Sequence, residues 1–448
     1  MRSLSSNGSP IGPQVLSPDG ALSRRTLLQG GAALGAGAAL GLPLPALAQG
    51  PAAGPELGLR LEPFMKSWVD SRRVANMVAA LGRGQAEPRF LTRGPDSFTS
   101  SRPADQDSLY RIYSMTKPVT GLAAMMLVDE GLIALDQPIA EILPDFAEMQ
   151  VQKDHNGPLT PDNLEPAVRP ITIRHLLTHT AGFGYGLDAE DGALTQLYRE
   201  RGLVPGAVSG LEVQAGFRGT PAASLETFAK RLAKLPLLYQ PGTRWSYSLS
   251  LDLMGRIIEV VAGVAFDTFL QQRIFEPCGM TSTWFQVPRS ETPRLTANYL
   301  MVGELLLPID LPENSVFLDR PPFPSGGAGL VSSPRDYDRF LMMLAGFGAI
   351  EGRRVMSEAA VRLGTSDLFP ETMAPEDSFA RDSGFGAGGR VGRGAEEGLF
   401  GWSGAAGTIG YVNLRSGLRA ALYTQYMPAF VYPVQQDFMK LVAETAAE

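Results

Sequence analysis

Ser114-Met-Thr-Lys117 puts a serine and a lysine three residues apart. They sit at the head of an apolar run, Arg111-Ile-Tyr-Ser-Met-Thr-Lys-Pro-Val-Thr-Gly-Leu-Ala-Ala-Met-Met126. Serine is a weak nucleophile until a base takes its proton. Residues three apart share a helix face, so Lys117 can reach the Ser114 hydroxyl. Lysine, unlike arginine, can surrender its charge when buried. The chain holds six lysines against 33 arginines, and only Lys117 has a serine three residues before it. The pattern therefore points to nucleophilic serine catalysis with a lysine partner. The alternative reading of Ser114 is a helix N-cap, a common place for serine.

The elements that must hold these residues follow from apolar periodicity. Leu61, Phe64, Met65, Trp68 and Val69 predict a helix over 60–75. Strand signals follow at 88–92 and 108–113. The helix after Ser114 carries Leu122, Met125, Met126 and Leu127, tolerates Pro118 in its first turn and stops at Gly131. Ile173–Thr178 reads as a short helix capped by Thr172. Leu251–Val261 is amphipathic and ends at Gly263. Asp336–Ala345 and Val434–Thr445 read as helices, and 400–404, 410–414 and 420–425 as strands. The Gly-rich stretch 187–223 is expected to be an irregular insertion, and the Pro-rich stretch 300–324 a connecting loop. This order implies two lobes. A sheet lobe would draw on both chain ends (about 55–130 and 325–448), with a helical lobe (about 131–324) inserted and the site at the seam.

The 448 residues are 44% hydrophobic and 19% charged, an ordinary globular composition. Ser23-Arg24-Arg25-Thr26-Leu27-Leu28 precedes a weakly apolar Gly/Ala-rich run that ends in Ala46-Leu47-Ala48. This is the pattern of a twin-arginine export signal with a small-residue cleavage site. Residues 1–48 are thus expected to be removed, leaving a secreted or periplasmic domain over 49–448. No stable membrane span is expected after that removal. Loss of Arg2, Arg24, Arg25 and Asp19 would move the formal net charge from −7 to −9. An acidic chain offers little to nucleic acid. The single Cys278 excludes an internal disulfide, and no Cys/His spacing suggests a metal site. No cofactor is expected. Oligomeric state is not legible.

Further segments extend the pattern. They are Leu176-Leu-Thr-His-Thr-Ala-Gly182, Pro241-Gly-Thr-Arg-Trp-Ser-Tyr-Ser-Leu249, Ile274-Phe-Glu-Pro-Cys-Gly-Met280, Gly326-Gly-Ala-Gly-Leu-Val-Ser-Ser333 and Gly401-Trp-Ser-Gly-Ala-Ala-Gly-Thr408. In this order, from about Leu61 to Ala443, the chain resembles the serine β-lactamase and penicillin-binding protein superfamily, on its class C-like, esterase-like branch. The resemblance implies an α/β (α+β) fold: an antiparallel sheet flanked by helices, with an inserted all-helical lobe. It implies that Ser114 is the nucleophile, Lys117 its partner and Tyr247 the base and proton shuttle. The backbone N–H groups of Ser114 and Ala405 would form the oxyanion hole. Trp402, Ser403 and Gly404 would form the strand that lines the substrate, with Leu249 beside it.

Two positions depart from the β-lactamase pattern. Trp402 stands where a lysine would hold a β-lactam carboxylate, and offers an apolar face or plain core packing instead. Leu249 stands where an asparagine amide would hold a substrate carbonyl. Both favour a carboxylic ester as the small-molecule substrate. A β-lactam, a D-amino-acid peptide or acyl transfer to another acceptor remain alternatives with the same nucleophile. A non-catalytic penicillin-binding or sensor module is a reading of another class. No G-x-S-x-G elbow accompanies the three histidines, so none of them is assigned to catalysis.

Overall fold

The computed structural model describes residues 14–15, 55–186, 192–204, 206–210, 220–373 and 377–447. In chain order, the elements that build and position the site are helix α1 (Pro55–Asp70), strands β1 (Met77–Arg83) and β2 (Arg89–Arg93), and helices α2 (Thr116–Asp129), α3 (Ile173–Leu177), α4 (Ala193–Glu200) and α5 (Leu225–Leu232). Helix α6 (Ser250–Ala262), strands β3 (Asn298–Val302) and β4 (Leu305–Asp310) and helix α7 (Pro334–Ala345) follow. The chain closes with strands β5 (Gly384–Phe385), β6 (Arg390–Val391), β7 (Leu399–Ser403), β8 (Ile409–Asn413) and β9 (Leu418–Tyr423), then helix α8 (Val434–Ala447).

Seven strands form one antiparallel sheet in the order β5-β6-β7-β8-β9-β1-β2. The last long strand, β9, pairs with the first, β1, with Leu422 opposite Ala79. Both chain ends therefore meet in the sheet. Successive strand residues face opposite sides. Met77, Ala79 and Leu81 pack with Leu61, Met65 and Trp68 of α1 and Phe438 and Val442 of α8. Val78 and Ala80 join the main core with α2 and α7. Because both faces are covered, Met77-Val-Ala-Ala-Leu81 is uniformly buried and lacks polar alternation. That is why β1 leaves no strand signature in the sequence.

Two expectations are corrected. Residues 298–310 are not a loop but an antiparallel hairpin of β3 and β4 that turns at Gly303, φ +61°. Its Pro308 weakens the strand signal while buried Leu306 and Ile309 hold the hairpin against the body. The stretch 187–223 is not wholly irregular. Residues 187–191, 205 and 211–219 of it lie outside the described residues, but α4 buries Leu194 and Tyr198 one helical turn apart. The export signal expected over residues 1–48 also lies outside the described residues, apart from residues 14–15. Residues 14–15 pair in parallel with Leu305 and Leu306.

Thr172 caps α3 as expected. Its hydroxyl accepts from His175 N–H at 3.4 Å, and His175 Nδ1 accepts from Thr172 N–H at 3.2 Å. This is a reciprocal capping box with histidine in the glutamate place. Burial first, then the Arg169 charge, push His175 down to about 4 from 6.5. Between those values the unfolded chain binds a proton that the folded one refuses, so stability falls as pH drops from 6.5 toward 4. His175→Gln keeps the capping acceptor and does not titrate. Thermal midpoints followed across that window should fall more steeply for the parent than for the variant. Equal slopes would refute the assignment.

Candidate active site

Ser114 lies in a 3-10 turn, Tyr113–Met115, that runs directly into α2. The turn is strained at Tyr113, whose φ is +42°. Two tethers hold it there. Tyr113 Oη accepts from Asn298 Nδ2 at 3.1 Å, and Tyr337 Oη donates to the Met115 carbonyl at 3.1 Å. Arg111, three residues earlier, is wholly buried and paired with Asp310 of β4. Its guanidinium also donates to Thr296 O and Ser315 Oγ. A buried pair of this kind costs about 3–5 kcal/mol to break, so the entry to the turn is firmly anchored.

Lys117 occupies the first turn of α2, fully buried. Its Nζ donates to the Gly327 carbonyl at 2.7 Å and to Ser114 Oγ at 3.3 Å. Tyr247, 133 residues on, brings its Oη to 2.7 Å from Ser114 Oγ. The Lys117 ammonium also lies 4.4 Å from the centre of the Tyr247 ring. Three residues far apart in sequence thus converge on one oxygen. Tyr247 stands just before α6, in the segment 245–249, where Ser246 N–H donates to His179 O and Leu249 N–H to Gly184 O.

The Tyr247 ring is clamped by other rings. His179 lies 4.7 Å away, Tyr185 4.9 Å and Trp402 5.9 Å, the last nearly parallel at 21°. Such pairs contribute about 0.5–1.5 kcal/mol each and fix the ring plane. His179 Nδ1 accepts from Ser248 N–H at 3.2 Å, which places its proton on Nε2. Burial, with the Lys117 charge second, holds His179 well below the usual histidine range, so the ring is neutral. The sequence assigns no catalytic role to His179: its place in Leu176-Leu-Thr-His-Thr-Ala-Gly182 is visible, but its partner, Ser248, is 69 residues away.

Trp402 is 3% exposed. Its ring packs on Tyr247 and Phe385, and its Nε1–H donates to Tyr247 Oη at 3.4 Å. Leu249 is fully buried in the main core, at the residue before α6. Ser403, by contrast, is partly open at the end of β7.

Gly404 follows β7 and passes so close to the serine turn that a Cβ there would lie 2.5 Å from the Ile112 carbonyl oxygen. Only glycine fits this approach. The Gly404 carbonyl accepts from Gln435 Nε2 at 3.1 Å and Gly407 N–H at 3.2 Å. In a trans peptide the N–H points opposite the carbonyl, so the Ala405 N–H is aimed away from these donors. Among the described residues no cluster of three or more His, Cys, Asp or Glu could hold a metal ion. No described helix is long and apolar enough to cross a membrane.

A seven-stranded antiparallel sheet carrying a Ser–Lys–Tyr cluster beside a Trp-Ser-Gly strand end defines a serine β-lactamase-type protein. The chain belongs to the Beta-lactamase family, whose model matches residues 60–444. It is 36% identical over 292 residues to a Mycobacterium tuberculosis protein, Rv1367c, a match covering 65% of this chain and 66% of that one. The chain therefore spans slightly under two thirds of that relative's length. It is 30% identical over 303 residues to esterase EstB of Burkholderia gladioli, covering 64% of this chain and 69% of EstB. Among solved structures it is similar in fold to EstCE1, described as a hydrolase with promiscuous acyltransferase activity. There the identity is 23%, the TM-score 0.69, and the match covers 88% of this chain and 99% of that one.

Proposed function

We propose that this protein is a serine hydrolase that cleaves carboxylic esters through a Ser114 acyl-enzyme. The observation that carries this reading is the convergence of Tyr247 Oη at 2.7 Å and Lys117 Nζ at 3.3 Å on Ser114 Oγ. Ser114 Oγ attacks the ester carbonyl carbon. Its proton passes to the Lys117–Tyr247 pair, which enters the step one proton short. The carbonyl oxygen becomes an oxyanion, held by the N–H groups of Ser114 and Ala405. Collapse breaks the bond to the alcohol oxygen, which leaves with the proton from the pair. Water then repeats the sequence on the acyl-enzyme and releases the acid.

EstB is named an esterase, and its similarity to this chain supports the ester reading. Trp402 supports it independently. At the place where a cation would hold a β-lactam carboxylate, it supplies a neutral indole turned to Tyr247. Acyl transfer to an alcohol uses the same acyl-enzyme, and the description of EstCE1 keeps it as the second reading. The Ser23–Leu28 and Ala46–Ala48 patterns support action outside the cytoplasm, after twin-arginine export.

The test sets p-nitrophenyl butyrate beside nitrocefin. The ester should be turned over with a kcat/KM at least about 10²-fold above that for nitrocefin, the value of one lost hydrogen bond to a charged group. Faster nitrocefin turnover would replace the esterase reading with a β-lactamase one.

A further inference from the structure

Asp252 is a buried carboxylate that the reaction above does not use. It lies in the first turn of α6, five residues after Tyr247, and is 1% exposed. Its Oδ1 accepts from Ser325 Oγ at 2.6 Å and from Gly327 N–H at 3.1 Å. Its Oδ2 is buried without a hydrogen-bond partner among the described residues. The carbonyl of the same Gly327 accepts from Lys117 Nζ at 2.7 Å. One glycine thus joins the carboxylate through its N–H to the ammonium through its C=O. A Cβ at Gly327 would lie 2.6 Å from Asp252 Oδ2, so the carboxylate rests against the Gly327 Cα.

A buried carboxylate is costly unless a cation offsets it. Burial raises the Asp252 carboxyl above the usual carboxylate range, and the Ser325 hydrogen bond and then the Lys117 charge oppose that shift toward the neutral form. Besides Asp252, Lys117 faces the hydroxyl of Ser114, the rings of Tyr247 and Tyr185 and the neutral His179. Among these, Asp252 is the one carboxylate.

We propose that Asp252 is the counter-ion of Lys117 across Gly327, a positioning residue that sets the pH at which the Lys117–Tyr247 pair loses its proton. The proposal rests on the Ser–Lys–Tyr reading above. Its sign is independent of which member of the pair carries the proton. A negative charge nearby opposes deprotonation, and the active pair is the deprotonated one. Removing that charge therefore extends activity to lower pH.

Asp252→Asn keeps an Oδ1 acceptor for Ser325 and Gly327 and removes the charge. Asp252→Ser serves the same purpose if the amide is not accommodated beside Gly327. The acid limb of kcat/KM for p-nitrophenyl butyrate should move down by about one pH unit or more. Ser325→Ala removes the hydrogen bond that most favours the charged form of Asp252, so it should lower the thermal midpoint and move the limb down as well, by no more than Asp252→Asn does. An unmoved limb in both folded Asp252 variants overturns the proposal, as does a limb that moves to higher pH in Ser325→Ala. Labelling of Ser114 by a fluorophosphonate, read by intact mass, separates the two levels. If the parent protein is not labelled at Ser114, it is the hydrolase reading that fails.

Discussion

Ser114→Ala is expected to remove ester turnover, with kcat falling on the order of 10⁴–10⁶-fold. The substitution deletes one oxygen at a site that is 1% exposed. The 3-10 turn is held by Tyr113, Met115 and Arg111, none of which depends on that oxygen. The fold should therefore survive and the thermal midpoint should change little. Purified variant and parent are compared for steady-state p-nitrophenyl butyrate hydrolysis and for mass increment after fluorophosphonate treatment. A variant that still hydrolyses the ester at the parental rate, or still gains mass at the same peptide, would show that another residue is the nucleophile. Lys117 and Tyr247 remain in place in this variant, so any residual rate measures what positioning and oxyanion donors achieve alone.

Tyr247→Phe removes the partner closest to Ser114 Oγ while keeping the ring between His179, Tyr185 and Trp402. The loss of one general acid–base group should lower kcat about 10²–10⁴-fold. KM should move much less, because the ring is retained and the hydroxyl acts on a proton. Trp402 Nε1–H is left unpaired, a stability cost of about 1–3 kcal/mol, while Ser114 Oγ keeps Lys117. Single-turnover acylation, measured beside thermal unfolding, distinguishes a chemical effect from a folding one. Retention of acylation within a few-fold would leave Lys117 as sole base, with Tyr247 reduced to packing.

Much of the site was readable locally. Ser114 and Lys117 are three residues apart, so their meeting needs only the 3-10 turn and the first turn of α2. The Gly263 stop, the Thr172 cap and the strands at 399–403, 409–413 and 418–423 obey short-range rules of conformation. Other elements escaped for stated reasons. Strand β1 is covered on both faces and shows no alternation. The β3–β4 hairpin hides behind Pro308, and α4 behind glycine-rich flanks.

Tyr247, Trp402 and Gly327 were legible as members of motifs, yet their contacts span 133, 155 and 210 residues. No periodicity encodes separations of that size. Leu249 and Trp402 show the limit most clearly: the motifs name them, but only the packed fold seats Leu249 in the main core and stacks Trp402 on Tyr247.

By itself the sequence determined which chemistry was possible: one serine with a lysine on its helix face, a tyrosine in a second motif, and no cation in the third. Those facts are set by residue type and near-neighbour spacing. The tertiary structure alone decided that His179 stays neutral against Tyr247, that Trp402 donates to the tyrosine oxygen, and that Asp252 reaches Lys117 through a single glycine. Each of these depends on burial and on groups far apart along the chain, and burial exists only once the sheet, α2 and α6 have packed together.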